Sequence, residues 1–273
     1  MKKSYVFVTA GLLSLSAISS TFSSESNAMS YLKPAFYVGV GGGWNTIDER
    51  FQSTLSTTHT QAGLDSYRVS NNRLFPSIGV GYWHPFKTQW LWGISAQWAY
   101  LSYNTPNANN PNGQYLPNAS FSSINIFGPD VLRDFSSRTK MNNQITLLFY
   151  AGNQLNNGYV YLGAGPALFT ASNSIFVSSV HQGGGDILFS NSVSANKTLW
   201  GGAIQAGYDY FLSRFYFLNF SYTYSRSADV TFNNAVNAAQ FNGAVNPGGT
   251  TLTLNRTVHV TNQQVMASIN RML

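Results

Sequence analysis

The stretch Gln89-Trp90-Leu91-Trp92-Gly93-Ile94-Ser95-Ala96-Gln97-Trp98-Ala99-Tyr100-Leu101-Ser102-Tyr103-Asn104 decides the fold. Trp90, Trp92, Ile94, Ala96, Trp98 and Tyr100 fall on one face. Gly93, Ser95, Gln97 and Ala99 fall on the other. A period of two over so many residues is the mark of a β-strand with one apolar face. Three tryptophans on one face of a strand suit a sheet whose exterior meets something other than water.

Working outward, seven further stretches repeat the pattern. Ala35 to Asn45 sets Phe36, Val38, Val40 and Trp44 against Tyr37, Gly39, Gly41 and Gly43. Arg73 to His84 sets Leu74, Ile78, Val80 and Tyr82 against Ser77, Gly79 and Gly81. Arg138 to Ala151 sets Met141, Ile145, Leu147 and Phe149 against Lys140, Asn142, Gln144 and Thr146. Gly158 to Ala171 carries Val160, Leu162, Ala164 and Leu168 on one face. Thr198 to Tyr210 sets Trp200, Ile204, Ala206 and Tyr208 against Gln205, Gly207 and Asp209. Phe215 to Ser225 sets Tyr216, Leu218, Phe220, Tyr222 and Tyr224 against Asn219, Ser221, Thr223 and Ser225. Thr257 to Leu273 is the weakest, with Val265, Ala267 and Ile269 opposite Gln264, Ser268 and Asn270.

The connections order these eight strands. Pro85 to Thr88, Gly152 to Asn157 and Phe211 to Arg214 are tight. Thr46 to Asn72, Thr105 to Ser137, Ser172 to Lys197 and Arg226 to Arg256 are long, rich in Asn, Ser, Thr, Gly and Pro, and hold nearly all the acidic residues. Short turns at one end and long polar loops at the other predict a closed antiparallel transmembrane β-barrel of about eight strands, with short periplasmic turns and long extracellular loops. A water-soluble β-sandwich requires neither the one-sided loops nor the tryptophan row.

Composition agrees. Charged residues are 9% of the 273, aromatics 15%, and there is no Cys. Soluble domains average about 25% charged residues. Yet mean hydropathy is only −0.10, and no segment after residue 28 offers the ~20 consecutive apolar residues of a membrane helix. Barrel strands alternate, so their hydropathy averages out. Without Cys there is no disulfide framework, thiolate metal site or thiol nucleophile. The sequence pI is near 9.5, but the basic residues are scattered singly, which argues against nucleic-acid binding. They suit a mild attraction to anionic lipopolysaccharide instead.

Residues 1–28 have the features of a Sec signal peptide. Lys2 and Lys3 form a positive start, Tyr5 to Ile18 is an apolar run too short to span a bilayer, and Ser26-Asn27-Ala28 offers small residues for cleavage. Cleavage after Ala28 is expected, giving a barrel of residues 29–273 placed in the cell outer membrane.

The lipid-facing sets carry no charge until Arg271, which can snorkel at a rim. The polar residues Gln97, Lys140, Asn142, Gln144, Gln205, Asp209, Asn219 and Gln264 are expected to face the lumen. Aromatics near strand ends predict two girdles. Phe36, Trp83, Phe86, Trp90, Tyr210 and Tyr216 would lie low, and Trp44, Tyr100, Tyr103, Trp200 and Tyr224 high. Glycines on the inward faces would leave room for Tyr37, Tyr159 and Tyr161.

Phe36-Tyr37-Val38-Gly39-Val40-Gly41-Gly42-Gly43-Trp44 resembles the first strand of small outer-membrane barrels of the OmpA transmembrane-domain and opacity-protein type. Ile78-Gly79-Val80-Gly81-Tyr82-Trp83, Tyr161-Leu162-Gly163-Ala164-Gly165 and Gly207-Tyr208-Asp209-Tyr210-Phe211-Leu212-Ser213 are similar to strands of the same family. The resemblance implies insertion by the barrel-assembly machinery, although the chain ends Ile269-Asn270-Arg271-Met272-Leu273 rather than in an aromatic residue. The peptidoglycan-binding domain that some relatives carry is not expected, since the strands run to the end of the sequence.

No constellation for catalysis emerges. Gly39-Val40-Gly41-Gly42-Gly43-Trp44 departs from a dinucleotide loop at its last position, and no helix follows. His59, His84, His181 and His259 lack metal-ligand spacing. Neither His84 nor His259 begins a His-x-Ser pair, and Asp130 and Asp134 are more simply solvated than catalytic. The expectation is a non-enzymatic surface scaffold without cofactor or metal. Its extracellular loops would mediate adhesion, interaction or envelope integrity, through outer-membrane lipid, lipopolysaccharide, or a host-surface or envelope protein. The alternative is a narrow channel for small or apolar solutes.

Overall fold

The computed structural model describes residues 33–56, 61–86, 89–104, 125–127, 130–155, 157–181, 187–237 and 251–273. The expected leader 1–28 and the start at Met29 lie outside them. The strands are β1 (Ala35–Ser56), β2 (Gln61–Phe86), β3 (Trp90–Asn104), β4 (Asn125–Phe127), β5 (Asp130–Leu155), β6 (Gly158–His181), β7 (Ile187–Phe211), β8 (Tyr216–Ser227), β9 (Val230–Asn237) and β10 (Thr251–Met272).

The sheet runs β1-β2-β3-β5-β6-β7-β8-β10 and closes through β1 against β10, so eight antiparallel strands form the barrel. Closure leaves the body of the barrel with no open strand edge. The two remaining strands belong to its far end. Three-residue β4 pairs with β5. β9 carries on the line of β8 after a break at Ala228 and Asp229, and pairs with Thr251–Val258 of β10. All the strands are antiparallel, and consecutive barrel strands are neighbours.

Alternation behaves as the apolar faces dictate. Phe36, Val40, Trp44, Leu74, Ile78, Val80, Trp90, Trp92, Trp98, Leu147, Phe149, Leu162, Ile204, Phe220, Val265 and Ile269 project outward and are exposed. Glycine enters the interior where a tyrosine must cross it. Tyr37 stands opposite Gly81, Tyr150 opposite Gly93, and Tyr161 opposite Gly207. In each pair the ring lies over the glycine, in space that a Cβ would occupy. A glycine in a strand is costly unless something packs on it, and here the partner's ring does.

The structure departs from the sequence expectations in three ways. First, much of the supposed loop is strand. Thr46–Ser56 pairs with residues 61–72, and Ser172–Val180 pairs with 187–196. Their apolar residues keep no period of two: Ile47, Phe51 and Leu55 are set apart by polar residues, and Ile175, Phe176 and Val177 are consecutive. Second, Trp83 is 0% exposed and sits inside the barrel. Because Ile78, Val80 and Tyr82 face out, parity sends Trp83 inward, and its place in the low girdle is overturned. Third, the top of β5 is out of phase. Register shifts between Met141 and Asn143 on β5, and between Tyr100 and Tyr103 on β3. Ser102, at φ 45°, takes the left-handed turn of that bulge. A bulge reverses which face each later residue meets. Lys140 is therefore exposed rather than lumenal, and Met141 is 0% exposed rather than lipid-facing. Tyr103 shares the inward parity of Ala99 and Leu101, so it is buried rather than part of the high girdle.

Candidate functional site: the barrel interior

Four layers fill the interior between the short-turn end and the long-loop end. The floor, at the short-turn end, is aromatic. Trp83 occupies its centre, with ring centroids 5.3 Å from Tyr37, 5.5 Å from Tyr159, 5.9 Å from Phe211 and 5.0 Å from Phe217. Its indole N–H donates to the carbonyl of Lys33 at 2.9 Å. Leu91 and Met272 complete the cluster. Each of these side chains comes from an inward position of a different strand or of its neighbour, and tight turns hold the strand ends in register.

Above the floor lies a polar belt. Asn219 Nδ2 donates to Asp209 Oδ1 at 2.6 Å and to the Tyr161 hydroxyl at 2.7 Å. That hydroxyl donates in turn to Gln205 Oε1 at 3.2 Å. Gln205 Nε2 reaches Thr223 at 2.8 Å. Gln97 Nε2 and the Ser77 hydroxyl both donate to the Met266 sulfur, at 2.7 and 3.1 Å. A cavity of about 50 Å³ opens here, with Tyr37, Ser95, Gln97, Asp209, Ser268 and Asn270 among its lining residues. That is room for a very few water molecules.

A second belt is centred on Gln144. Its Oε1 accepts from Asn262 at 2.6 Å and Gln264 at 3.1 Å, and its Nε2 donates to Thr146 and Ser225 at 3.0 and 3.1 Å. Asn142, at the bulge, is half-buried, and its Oδ1 has no partner among the described residues. Asn45 is fully buried, and neither polar atom of its side chain is hydrogen-bonded among the described residues.

The fourth layer rises past the apolar exterior. Ile47, Leu101, Met141, Phe169, Phe232 and Val258 pack in one apolar cluster. A buried ion pair is set into this layer: Arg256 approaches Glu49 Oε1 at 3.4 Å, and the Tyr103 hydroxyl donates to Glu49 Oε2 at 3.2 Å. Burial pushes the Glu49 carboxyl above its ordinary range, while Arg256 and the hydroxyls of Thr139 and Tyr103 act against that shift. Burial and the Glu49 carboxylate push the Tyr103 phenol up.

Of the residues read as lumenal, Gln144, Gln205, Asp209, Asn219 and Gln264 are buried inside and joined in these networks, and Gln97 is half-buried beside Met266. Lys140 is not among them. Of the girdle residues, Trp44, Trp90, Tyr100, Trp200 and Tyr210 are exposed on the exterior, and Tyr224 is half-buried there. The sequence reading missed the Trp83 floor and the Glu49–Arg256 pair. Parity from Tyr82 signals the first. Nothing local signals the second, since 207 positions separate its partners.

The interior has little to offer chemistry. Among the described residues no group of three or more His, Asp or Glu side chains is placed to hold a metal ion. His84 stacks on Trp92 with centroids 5.8 Å apart, and His259 Nδ1 lies 2.9 Å from Asp229. Among the described residues neither is hydrogen-bonded to a serine. His59 lies outside the described residues.

No known protein family and no curated protein matches the chain. Solved structures with a similar course are those of the outer membrane protein OprG from Pseudomonas aeruginosa, the attachment invasion locus protein Ail of Yersinia pestis, and the monoaromatic hydrocarbon channel CymD. OprG is 14% identical, with 88% of this chain and 98% of that chain covered and a TM-score of 0.41. Ail is 12% identical, with 82% and 98% covered and a TM-score of 0.29. CymD is 10% identical, with 84% and 88% covered and a TM-score of 0.28. At such low identity and TM-score these likenesses carry no argument about function, and the reading of a small antiparallel barrel stands on the chain's own closed sheet.

Proposed function

We propose that the chain is an integral outer-membrane barrel that acts as a non-enzymatic scaffold and presents its long-loop end for contact with other surfaces. The membrane reading is supported by a closed sheet that satisfies its backbone internally and wears an uncharged apolar band. The scaffold reading is carried by one observation: side chains fill the interior from the Trp83 floor to the Glu49–Arg256 layer. A solute path would have to cross both the aromatic floor and the apolar upper cluster, with the cavity of about 50 Å³ between them.

The test is a pair of measurements. In planar bilayers the refolded protein should give no stable ion current, and replacing residues 105–124 by a short turn should preserve folding while abolishing attachment of cells to a host surface or partner. Steady, reproducible conductance would make the narrow-channel reading primary.

A further inference from the structure

Charge is distributed unequally between the two ends of the barrel. Eight acidic residues follow the expected leader. Seven of them lie in the arms and connections at the long-loop end, where nine basic residues accompany them. The eighth, Asp209, is buried inside the barrel. The short-turn end holds Lys33, Arg214 and Arg271, all exposed, and Lys87, which lies outside the described residues.

The three described cations follow one another along the rim. Lys33 precedes β1, and its carbonyl accepts the Trp83 indole from β2. Arg271, near the end of β10, stands between Val38 of β1 and Tyr216 of β8. Arg214 lies in the β7–β8 turn, which touches β10 through the Met272 amide donating to the Phe215 carbonyl at 2.8 Å. The Arg214 guanidinium sits 4.7 Å from the centre of the Phe215 ring. Beside this arc the exterior offers Phe36, Leu212, Phe215 and Tyr216, all exposed. Among the described residues no exposed acidic side chain stands beside the arc, Asp209 being buried inside the barrel.

We infer that this rim binds the phosphate headgroups of anionic phospholipids in the leaflet at the short-turn end. The inference rests on the membrane reading above. A headgroup with attached tails fits both halves of the surface: the tails lie on the apolar band and the phosphate meets an arginine or lysine whose stem runs along that band. Free inorganic phosphate would use only the second half. A cationic rim with no exposed side-chain acid beside it attracts an anionic headgroup and is indifferent to a zwitterionic one.

The experiment uses the mature chain refolded into phosphatidylcholine vesicles, with spin-labelled phosphatidylglycerol or spin-labelled phosphatidylcholine as probe. The fraction of motionally restricted probe reports boundary lipid. Phosphatidylglycerol should be preferred about threefold to fivefold, the factor expected from roughly one added cation–headgroup contact. The variant K33Q/R214Q/R271Q should lower the preference to near parity, while K140Q/K197Q/R226Q at the other end should retain it. Should the triple variant fail to fold, salt gives a second reading on the unaltered protein. The preference should collapse as the screening length falls from ~30 Å at low salt to ~3 Å near 1 M. Equal binding of the two probes by an inserted, heat-modifiable barrel overturns the inference, as does a preference that survives the rim substitutions. A protein that restricts neither probe has not entered the bilayer, and in that case the membrane reading itself fails.

Discussion

Replacing Trp83 by alanine should remove the floor of the barrel. The side chain is fully buried, touches four aromatic rings and donates one hydrogen bond. A tryptophan buries about 200 Å². At about 25 cal/mol per Å² this is roughly 5 kcal/mol of transfer free energy. Lost ring pairs and the lost indole bond add to that figure, while collapse of neighbouring rings and water entering from the short-turn mouth subtract from it. A net loss of about 3–5 kcal/mol is expected, in line with large aromatic truncations in cores. Trp83→Phe keeps most ring contacts and should lose about half as much. The measurement is urea unfolding in lipid vesicles, followed by the gel shift between folded and heat-denatured protein. A Trp83→Ala midpoint equal to wild type would show that the indole does not fill the lumen, and the floor described here would be wrong.

Other substitutions probe the remaining layers. Leu147→Arg, on the apolar exterior, should cost about 2–4 kcal/mol in the same assay. Lys140→Glu should change stability by no more than about 0.5 kcal/mol, because the β5 bulge turns it out of the lumen. Gly81→Val places a side chain where the Tyr37 ring lies, so it should lower the yield of heat-modifiable barrel, and Gly81→Val/Tyr37→Ala should recover part of it. Glu49 holds its proton more tightly folded than unfolded. Its contribution to stability is therefore greatest in acid and falls as pH rises from the ordinary value of 4.5 through the higher folded value. Glu49→Gln should remove that part of the slope on the alkaline side of the ordinary value of 4.5, and an unchanged slope would place the titration elsewhere.

The legible part of this protein was its membrane-facing half. Phe36, Val40, Trp98, Leu147, Ile204 and Val265 announce their face because every second neighbour is small or polar. Closure followed from the pattern of short and long connections. Two kinds of feature stayed hidden. Single-residue insertions such as the bulge at Asn142 leave no compositional trace, so Lys140 and Met141 were assigned to the wrong sides. In the arms 46–56 and 61–72 the apolar residues Ile47, Phe51, Leu55, Leu64, Tyr67 and Val69 are interrupted by polar and charged ones, with no unbroken alternation to count. Strand pairing there is decided by the continuing backbone ladder, which a hydropathy pattern does not record. The Gln144 network and the Glu49–Arg256 pair depend on residues from strands far apart in sequence, so only the closed barrel brings them together.

The paired arms give the protein height. β1 and β2 continue together through 46–56 and 61–72, and β6 and β7 do the same through 172–180 and 187–196. At about 3.3 Å of rise per residue and the tilt of a small barrel, nine to eleven further residues lift the ends of the paired arms roughly 20–30 Å above the apolar band. With that band in the bilayer, the tips clear the headgroups on a stiff stalk rather than a slack tether. A partner at that end would meet them at a fixed stand-off from the apolar band. Shortening both arms by equal even numbers of residues would lower that platform while keeping each side chain on its own face.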